Sequence, residues 1–405
     1  MNTPVHNPGA RNALRVAVVT ETYPPEINGV ARTVGLMVEA LCERGHEVQL
    51  VRPRQRDEPA PSPGQGPDQR LVPGLPIPFY RHLQMGFTPP GLLKREWSKR
   101  RPDLVHVVTE GPLGWAAVSA ARRLGISICS DFHTNFHSYS RHYGLGVFSG
   151  IVSRYLRALH NRADCTLVPT AEMQSNLEAL SFERVKVVGR GVDTWLFSPM
   201  RRSERLRATW GCRGSETVAL YVGRIAPEKN LALFVQAALA MRATDASLRV
   251  VLVGDGPQAA ELRARHPDFV FAGMRTGGDL AEHYASADVF LFPSTTETFG
   301  NVTLEAMASG LAVVAYDYAA ARQYLRHESS ALLAPLDDGA AFVRMAEWLA
   351  ANPEFASHLR SEARRTAETA SWNRAFDDLE RVLRNLIGTN RAGVAVQEDS
   401  VHVET

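Results

Sequence analysis

Several features that mark other classes of protein are scarce or missing in this sequence. No apolar run approaches the length of a membrane span, and the opening segment MNTPVHNPGARNALR lacks the apolar core of a secretory signal. The four cysteines are scattered and form no C-x-x-C pair. The net charge of +2 does not indicate nucleic acid binding. We therefore expect a cytoplasmic protein with reduced thiols.

The composition is that of a globular protein with room for two domains. Hydrophobic residues make up 45% of the 405 positions and charged residues 22%, as in average soluble proteins. Short apolar runs alternate with helical patterns in both halves, which predicts an α/β fold. We place one domain at 14–195, a second at 196–371 and a last amphipathic helix at 372–387. The polar ends, 1–13 and 389–405, are predicted to be disordered.

Residues 292–310 combine a strand end, a polar loop and a helix start. Glu297 lies on the loop, and Glu305 follows about two helical turns later. Unpaired amides and the dipole at a helix start favour an anion; here they belong to Phe299, Gly300 and Asn301. Two carboxylates around such amides suit a nucleotide sugar, whose diphosphate is flanked by hydroxylated rings. Spacing alone favours a simpler alternative, a solvated Glu305 and a Glu297 that complements the helix dipole.

Polar residues also follow other predicted strands. Arg224 and Lys229 lie between a strand and a helix, where a phosphate would be held, although lone cations in a loop are usually solvated. His133 follows a buried strand, and ligands of open α/β sheets collect at such ends; a hydrogen bond to a neighbouring loop explains its position equally well. Gly29 precedes a helix, either for backbone geometry or to let a diphosphate approach closely.

These segments resemble the motifs of one enzyme family. Glu297 and Glu305 match an E-x7-E segment, and Arg224 and Lys229 match a G-R-x(4)-K-N motif. The segment around His133 is similar to an FHT segment of the same family, the retaining glycosyltransferases of family 4. The resemblance covers nearly the whole chain. The segment ETYPPEINGVARTV is most similar to phosphatidylinositol mannosyltransferases and glycosyl-diacylglycerol synthases.

The resemblance implies a fold and a reaction. The fold is GT-B, in which two Rossmann-like domains face a cleft and the helix at 372–387 packs back onto the first domain. The reaction is transfer of a hexosyl group, with retention, from GDP- or UDP-hexose to a lipid or glycan acceptor, with GDP-mannose slightly favoured. No cofactor is expected. Because no D-x-D acid pair stands at a strand end, no metal is expected to hold the diphosphate.

The resemblance also implies roles for particular residues. Glu297 would hold hydroxyls of the transferred sugar, Glu305 the ribose, and His133 would contact the sugar near the reaction centre. Arg224 and Lys229 would hold the diphosphate, together with the amides at Phe299, Gly300 and Asn301 and a close approach at Gly29.

The resemblance also indicates where the nucleotide base would bind. In relatives, the loops that contain Asp255 and Met274 hold the base and ribose, largely through backbone groups. Asp255 is our only candidate for reading guanine, and a helix-capping role for it is no less plausible.

One position departs from the family pattern. Arg190 stands where the family usually has Asn, although Gly191 and Asp193 of the surrounding motif are in place.

Alternatives remain open at this point. A nucleotide-sugar epimerase of the same fold would release a free sugar, and a glycosyl-diacylglycerol synthase would use a UDP-sugar. A solute-binding protein would need an export signal. Contact with anionic membrane is expected at the basic run 94–101 or the amphipathic segment 147–162. The simpler interpretations are a solvated helix end for the first and a core-facing helix for the second.

Overall fold

The computed structural model describes residues 13–26, 28–55, 66–77, 80–133 and 149–401. Within these ranges the fold is α/β, with two parallel sheets that succeed one another along the chain. The first sheet has the strand order β3-β2-β1-β6-β7-β8-β9, and the second has the order β12-β11-β10-β13-β14-β15. The predicted fold class is therefore confirmed.

The first half of the chain begins with a strand–helix–strand unit and adds further strands on both sides. The strands are β1 (Arg15–Val19), β2 (Glu47–Pro53), β3 (Asp68–Val72), β6 (Leu104–Val107), β7 (Ser127–Asp131), β8 (Cys165–Val168) and β9 (Val185–Val187), with a separate antiparallel hairpin of β4 (Gly74–Ile77) and β5 (Tyr80–Gly86). The helices are α1 (Gly29–Glu43), α2 (Pro90–Lys99), α3 (Pro112–Leu124), α4 (Ser149–His160) and α5 (Ala171–Ala179).

The second half repeats the alternation. Its strands are β10 (Val218–Val222), β11 (Arg249–Val253), β12 (Val270–Gly273), β13 (Val289–Phe292), β14 (Ala312–Tyr316) and β15 (Leu332–Ala334). Its helices are α6 (Glu204–Thr209), α7 (Leu231–Thr244), α8 (Ala259–Arg265), α9 (Gly277–Ala285), α10 (Asn301–Ala308), α11 (Ala319–Tyr324), α12 (Gly339–Ala351) and α13 (Pro353–Thr369), with short 3-10 turns at Pro199–Arg201 and Pro227–Lys229.

The order of the strands decides where a ligand can bind. Strands of a parallel sheet that is covered on both faces are apolar throughout, and every residue of β10 and β14 is buried. In each sheet the chain winds outward in one direction and then reverses, beside β1 in the first sheet and beside β10 in the second. Ligands of open α/β sheets bind at the carboxyl ends of the strands at such a reversal.

The last helix, α14 (Trp372–Val401), returns to the first sheet. Phe376, Leu379, Leu383 and Ile387 are buried in the same hydrophobic cluster as residues of β1 and α1. Their spacing of three or four residues is that of one helix face. The first sheet is thus covered by a helix from the opposite end of the sequence.

Helix α14 also continues beyond the predicted end at 387. Residues 389–401 are helical, so the expectation of a disordered tail is wrong there, and 402–405 lie outside the described residues. This segment contains no proline, and extending an established helix costs far less than starting one, even across glycine. A polar composition alone did not separate a solvated helix from a disordered tail.

Three short strands lie where the sequence pattern does not predict them. Residues 54–78 are rich in Pro, Gly and Gln, which predicts a mobile insertion, yet β3 and β4 lie within this range; residues 56–65 are outside the described part. The apolar run at 165–170 is the last strand that the sequence pattern predicts in this half, yet β9 extends the first sheet beyond this strand, β8. Strands of three to five residues at a sheet edge are too short for a clear periodic pattern.

We expect the packing of α14 to contribute strongly to stability. Replacing the fully buried Leu383 by Ala should lower the free energy of unfolding by about 2–5 kcal/mol, because it removes apolar contacts and leaves a cavity. Urea unfolding measures this change. Arg381→Ala on the same helix, whose side chain is 67% exposed, is the matched control and should cost less than about 0.5 kcal/mol. Equal, small effects of both substitutions would contradict this packing.

Candidate active site between the two sheets

The carboxyl ends of β10 and β13 lie side by side where the strand order of the second sheet reverses. The loop after β10 contains Arg224 and Lys229, and the loop after β13 contains Glu297. Lys229 and Glu297 are 68 positions apart in the sequence. Topology alone therefore brings the predicted diphosphate-binding cations next to the predicted sugar-binding acid.

Glu297 and Lys229 form a direct ion pair. Lys229 Nζ donates to Glu297 Oε1, and Ser294 Oγ donates to the same oxygen at 2.7 Å. The hydroxyl of Tyr318 donates to the backbone carbonyl of Glu297 at 2.7 Å, which fixes the loop. Both charged side chains are 16% exposed. The carboxylate is therefore held in place, while a part of it stays exposed at the mouth between the sheets. By this mouth we mean the opening between the two sheets at the carboxyl ends of β10 and β13.

Arg224 is anchored by an acid that lies within its own motif. The Arg224 guanidinium forms an ion pair with Glu228, whose side chain is almost completely buried. Thr296 Oγ1 donates to the carbonyl of Glu228 at 3.0 Å and so ties the loop after β10 to the loop after β13. About a third of the Arg224 side chain is exposed, so the cation is oriented by the protein but accessible from the mouth.

The start of α10 lies close to the start of α1. Gly300, just before α10, has a φ of +90°, in the left-handed region that favours glycine, and no side chain caps this helix start. A β-carbon placed on Gly29 would lie 3.8 Å from Asn301 Nδ2. Phe299 is fixed by a 2.9 Å hydrogen bond from the amide of Ala320. An anion at this point would meet the positive ends of two helix dipoles.

Glu305 is a buried carboxylate, and the alternative of a solvated helix residue is therefore wrong. The hydroxyl of Tyr284 donates to Glu305 Oε2 at 3.1 Å, and Arg32 Nη1 of helix α1 donates to Oε1. Burial raises the pKa of Glu305, and the contacts with Arg32 and Tyr284 offset only a part of that shift. A buried acid at a ligand-binding edge is a candidate functional group.

The His133 ring lies between two charged side chains. Its Nε2 is 3.3 Å from Asp131 Oδ2, and its Nδ1 is 3.5 Å from Arg190 Nη2. A guanidinium only donates, so the geometry assigns the ring proton to Nε2. The backbone carbonyl of His133 accepts from Thr298 Oγ1 of the opposite half at 2.9 Å. His133 therefore lies where the two halves meet.

Asp131, the last residue of β7, acts as a fixed anion next to His133. Its Oδ1 is 2.8 Å from His106 Nε2. Burial by itself would raise the pKa of Asp131, but the imidazoles of His106 and His133 outweigh the burial and hold the pKa well below its usual value. The orientation of the His133 ring is therefore set by a carboxylate that stays ionised at any physiological pH.

Arg190, which stands where the family usually has Asn, contacts both His133 and the second half of the chain. Besides its side-chain contact with His133, its carbonyl accepts from the hydroxyl of Tyr324, in the second half of the chain, at 3.0 Å. Burial lowers the pKa of Arg190, and the nearby Asp131 opposes that change. The cation that replaces the usual Asn thus sits beside the predicted sugar-contacting histidine.

Asp255 and Met274 occupy neighbouring loops, after β11 and β12. Asp255 Oδ1 accepts from the amide of Gly256 at 2.8 Å and is exposed. The start of α8 has no side-chain cap, so the alternative in which Asp255 caps this helix is wrong. Met274 is 51% exposed. Contact of these two residues with a base remains a prediction.

Sequence reasoning did not single out several residues of this site, among them Glu228, Arg32 and Tyr284. Glu228 lies inside the G-R-x(4)-K-N motif, and Arg32 lies one helical turn after Gly29. Their closeness in sequence to Lys229 and Gly29, which were predicted, was the signal that could have identified Glu228 and Arg32. Tyr284, which binds Glu305, lies on a different helix and gave no sequence signal.

Two further observations concern metals and membranes. Across the part of the chain that the structure describes, no cluster of three or more His, Cys, Asp or Glu side chains could hold a metal ion. Among the described helices, none combines the length and the apolar character that a membrane crossing demands.

Comparison with known proteins identifies the family. The profile described as Glycosyltransferase Family 4 matches residues 27–196, and the profile described as Glycosyl transferases group 1 matches residues 216–352. A GDP-mannose-dependent alpha-mannosyltransferase of Mycolicibacterium smegmatis is 35% identical over 90% of this chain and 96% of its own length. An alpha-monoglucosyldiacylglycerol synthase of Streptococcus pneumoniae is 26% identical over 75% of this chain and 71% of its own length.

The fold has close counterparts among solved structures. A sucrose-phosphate synthase from Thermosynechococcus elongatus superimposes with a TM-score of 0.75, covering 93% of this chain and all of that chain at 19% identity. At that identity the structural likeness shows the fold alone, whereas the sequence matches to glycosyltransferases also show the type of reaction. The chain therefore belongs to the family 4 glycosyltransferases and is a nucleotide-sugar-dependent enzyme with the GT-B fold.

Proposed function

We propose that this enzyme transfers a mannosyl group from GDP-mannose to a lipid or glycan acceptor, with retention at the anomeric carbon. The observation that carries the proposal is the contact between Lys229 and Glu297 beside the start of α10. This contact brings together a cation, a carboxylate that can accept hydrogen bonds from hydroxyls, and backbone amides. They lie where the strand order of the second sheet reverses. A diphosphate attached to a hydroxylated sugar needs these three kinds of group.

The proposed chemistry follows from charge. As the bond to the sugar breaks, the diphosphate gains negative charge and the sugar becomes oxocarbenium-like. Arg224, Lys229 and the amides at Gly300 and Asn301 would stabilise the leaving diphosphate. Glu297 would accept hydrogen bonds from sugar hydroxyls. In this proposal the cations are side chains, so transfer needs no metal.

His133 and Glu305 take the remaining roles. His133, oriented by Asp131 and Arg190, would contact the transferred sugar. Glu305 would accept hydrogen bonds from the ribose. A carboxylate that is costly to bury suits this task, because the ribose hydroxyls replace the hydrogen bonds that water would otherwise supply.

Mannose is preferred to glucose on the strength of sequence similarity. The mannosyltransferase relative is 35% identical over 90% of the chain, whereas the glucosyldiacylglycerol synthase relative is 26% identical over 75%. Asp255 is the acid that we nominate to accept from guanine, and its exposure at the end of β11 leaves it accessible. Transfer of glucose from a UDP-sugar to diacylglycerol is the second candidate, which the synthase relative supports.

We also propose reversible contact with anionic membrane. Only some residues of the basic run 94–101 are accessible for this contact. Trp97, the aromatic residue of the basic run, is fully buried and donates to Gln49, so it is unavailable to lipid. Arg100 is paired with Glu47 and Asp68. The cations of α2 that remain exposed without a described acidic partner are Lys94, Arg95 and Lys99.

Helix α4 offers a smaller surface than its sequence suggests. Of the predicted core-facing stripe, Leu159 is buried and Tyr155 is half-buried, but Ile151 is 65% exposed; Val147 lies outside the described residues. Arg154 is exposed on the same helix. An exposed isoleucine beside an exposed arginine adds an apolar contact to the charges of α2 in this proposal.

The first test follows transfer from GDP-mannose and from UDP-glucose by nucleotide release and product mass. We expect GDP-mannose to be used more efficiently, with activity unchanged by EDTA. Glu297→Gln should fold normally and lose about 100-fold or more in turnover, the typical cost of losing a polar group that contacts the transition state. Glu354→Gln, an exposed acid of α13, is the matched control and should retain full activity. Use of UDP-glucose alone, or near wild-type turnover of Glu297→Gln, would contradict the proposal.

The second test is flotation with vesicles at low salt. The protein should float with anionic and not with zwitterionic vesicles. Replacing Lys94, Arg95 and Lys99 by Gln should reduce binding about 100-fold, since each cation near an anionic surface contributes about 1 kcal/mol. A control variant removes the same charge from exposed residues elsewhere, namely Arg265, Arg365 and Arg381. Equal loss in both variants would show that only net charge matters.

A further inference from the structure

Arg32 joins the two halves of the enzyme at the proposed donor site. It lies in the first turn of α1, and its guanidinium forms an ion pair with Glu305 of α10. The guanidinium carbon also lies 5.2 Å from the centre of the Phe197 ring. The Glu305 side chain is 8% exposed, whereas that of Arg32 is 39% exposed. One partner thus lies in the protein interior and the other is partly exposed.

The two oxygens of Glu305 already have described partners. Oε2 accepts from Tyr284, and Oε1 accepts from Arg32. In the proposed function the ribose hydroxyls also bind this carboxylate. Because Tyr284 is buried and comes from the same half of the molecule, it stays. Arg32 must therefore share Oε1 with the ribose or leave it.

A displaced Arg32 has a defined destination. A guanidinium is always charged, and it pairs with phosphate through two parallel hydrogen bonds. Arg32 lies one helical turn from Gly29, and Gly29 lies next to Asn301. The proposed diphosphate occupies the same point. The anion that arrives with the donor is therefore within reach of the cation that the ribose displaces.

We propose that Arg32 is a donor-binding residue that exchanges Glu305 for the donor's diphosphate. This role rests on the proposed function, because it requires the ribose at Glu305. In the free enzyme the ion pair favours the charged form of Glu305 and holds the carboxylate in place. In the donor complex the same cation joins Arg224 and Lys229 on the diphosphate. The exchange also draws α1 toward the second half of the molecule through the donor itself.

The test is calorimetric titration of wild type and Arg32→Met with GDP and with guanosine, whose weaker binding is measured by its displacement of GDP. GDP affinity should fall about 10- to 100-fold in the variant, the usual effect of removing a charged hydrogen bond. Guanosine affinity should not fall, because guanosine carries no phosphate and in the variant its ribose no longer competes with Arg32 for Glu305. Arg32→Lys should recover a part of the GDP affinity.

The matched control is Arg322→Met, which removes another ion pair between the two halves, to Glu172. Its GDP affinity should equal that of wild type. Three results would overturn the role of Arg32: unchanged GDP affinity in Arg32→Met, an equal loss for GDP and guanosine, or tighter binding of both, which would make the ion pair a simple latch. If wild type binds neither GDP nor UDP, the donor site itself is rejected.

Discussion

Two carboxylates at the mouth between the sheets must be paired with cations, and much of the site follows from this constraint. A buried carboxylate without a partner is very costly. Glu297 is paired with Lys229 of its own half, and Glu305 with Arg32 of the opposite half. Both pairs face the point where the diphosphate is proposed to bind. The free enzyme thus pairs its acids with the same cations that the donor is proposed to use.

Within the described ranges, several contacts between the two halves of the chain involve residues of the site. Besides Arg32 with Glu305, Thr298 donates to the carbonyl of His133, and Tyr324 donates to that of Arg190. Under the proposed function, donor binding and the relative position of the two halves are coupled, since a ligand at these residues alters the contacts between the halves. Helix α14 is a further connection between the halves, because it covers the first sheet while it continues the chain from the second.

The sequence predicted the fold and the local motifs more fully than the contacts between them. Strand–helix alternation is a local pattern, and it located β10, β13 and their loops. The pairing of Arg32 with Glu305 depends on how two sheets approach one another over 273 positions, which no local pattern records. Burial of Glu305 and Trp97 was missed for the same reason. Helix α14 was predicted too short because polar residues suit both a solvated helix and a disordered tail.

The central claim is that the donor's diphosphate lies between the cations of the loop after β10 and the start of α10. A crystal structure of the complex with GDP tests it most directly. The account predicts phosphate oxygens within hydrogen-bond distance of Lys229 Nζ and of the amides of Gly300 and Asn301, with the ribose on Glu305. A nucleotide bound elsewhere, or one whose phosphates contact neither Lys229 nor the start of α10, would contradict it.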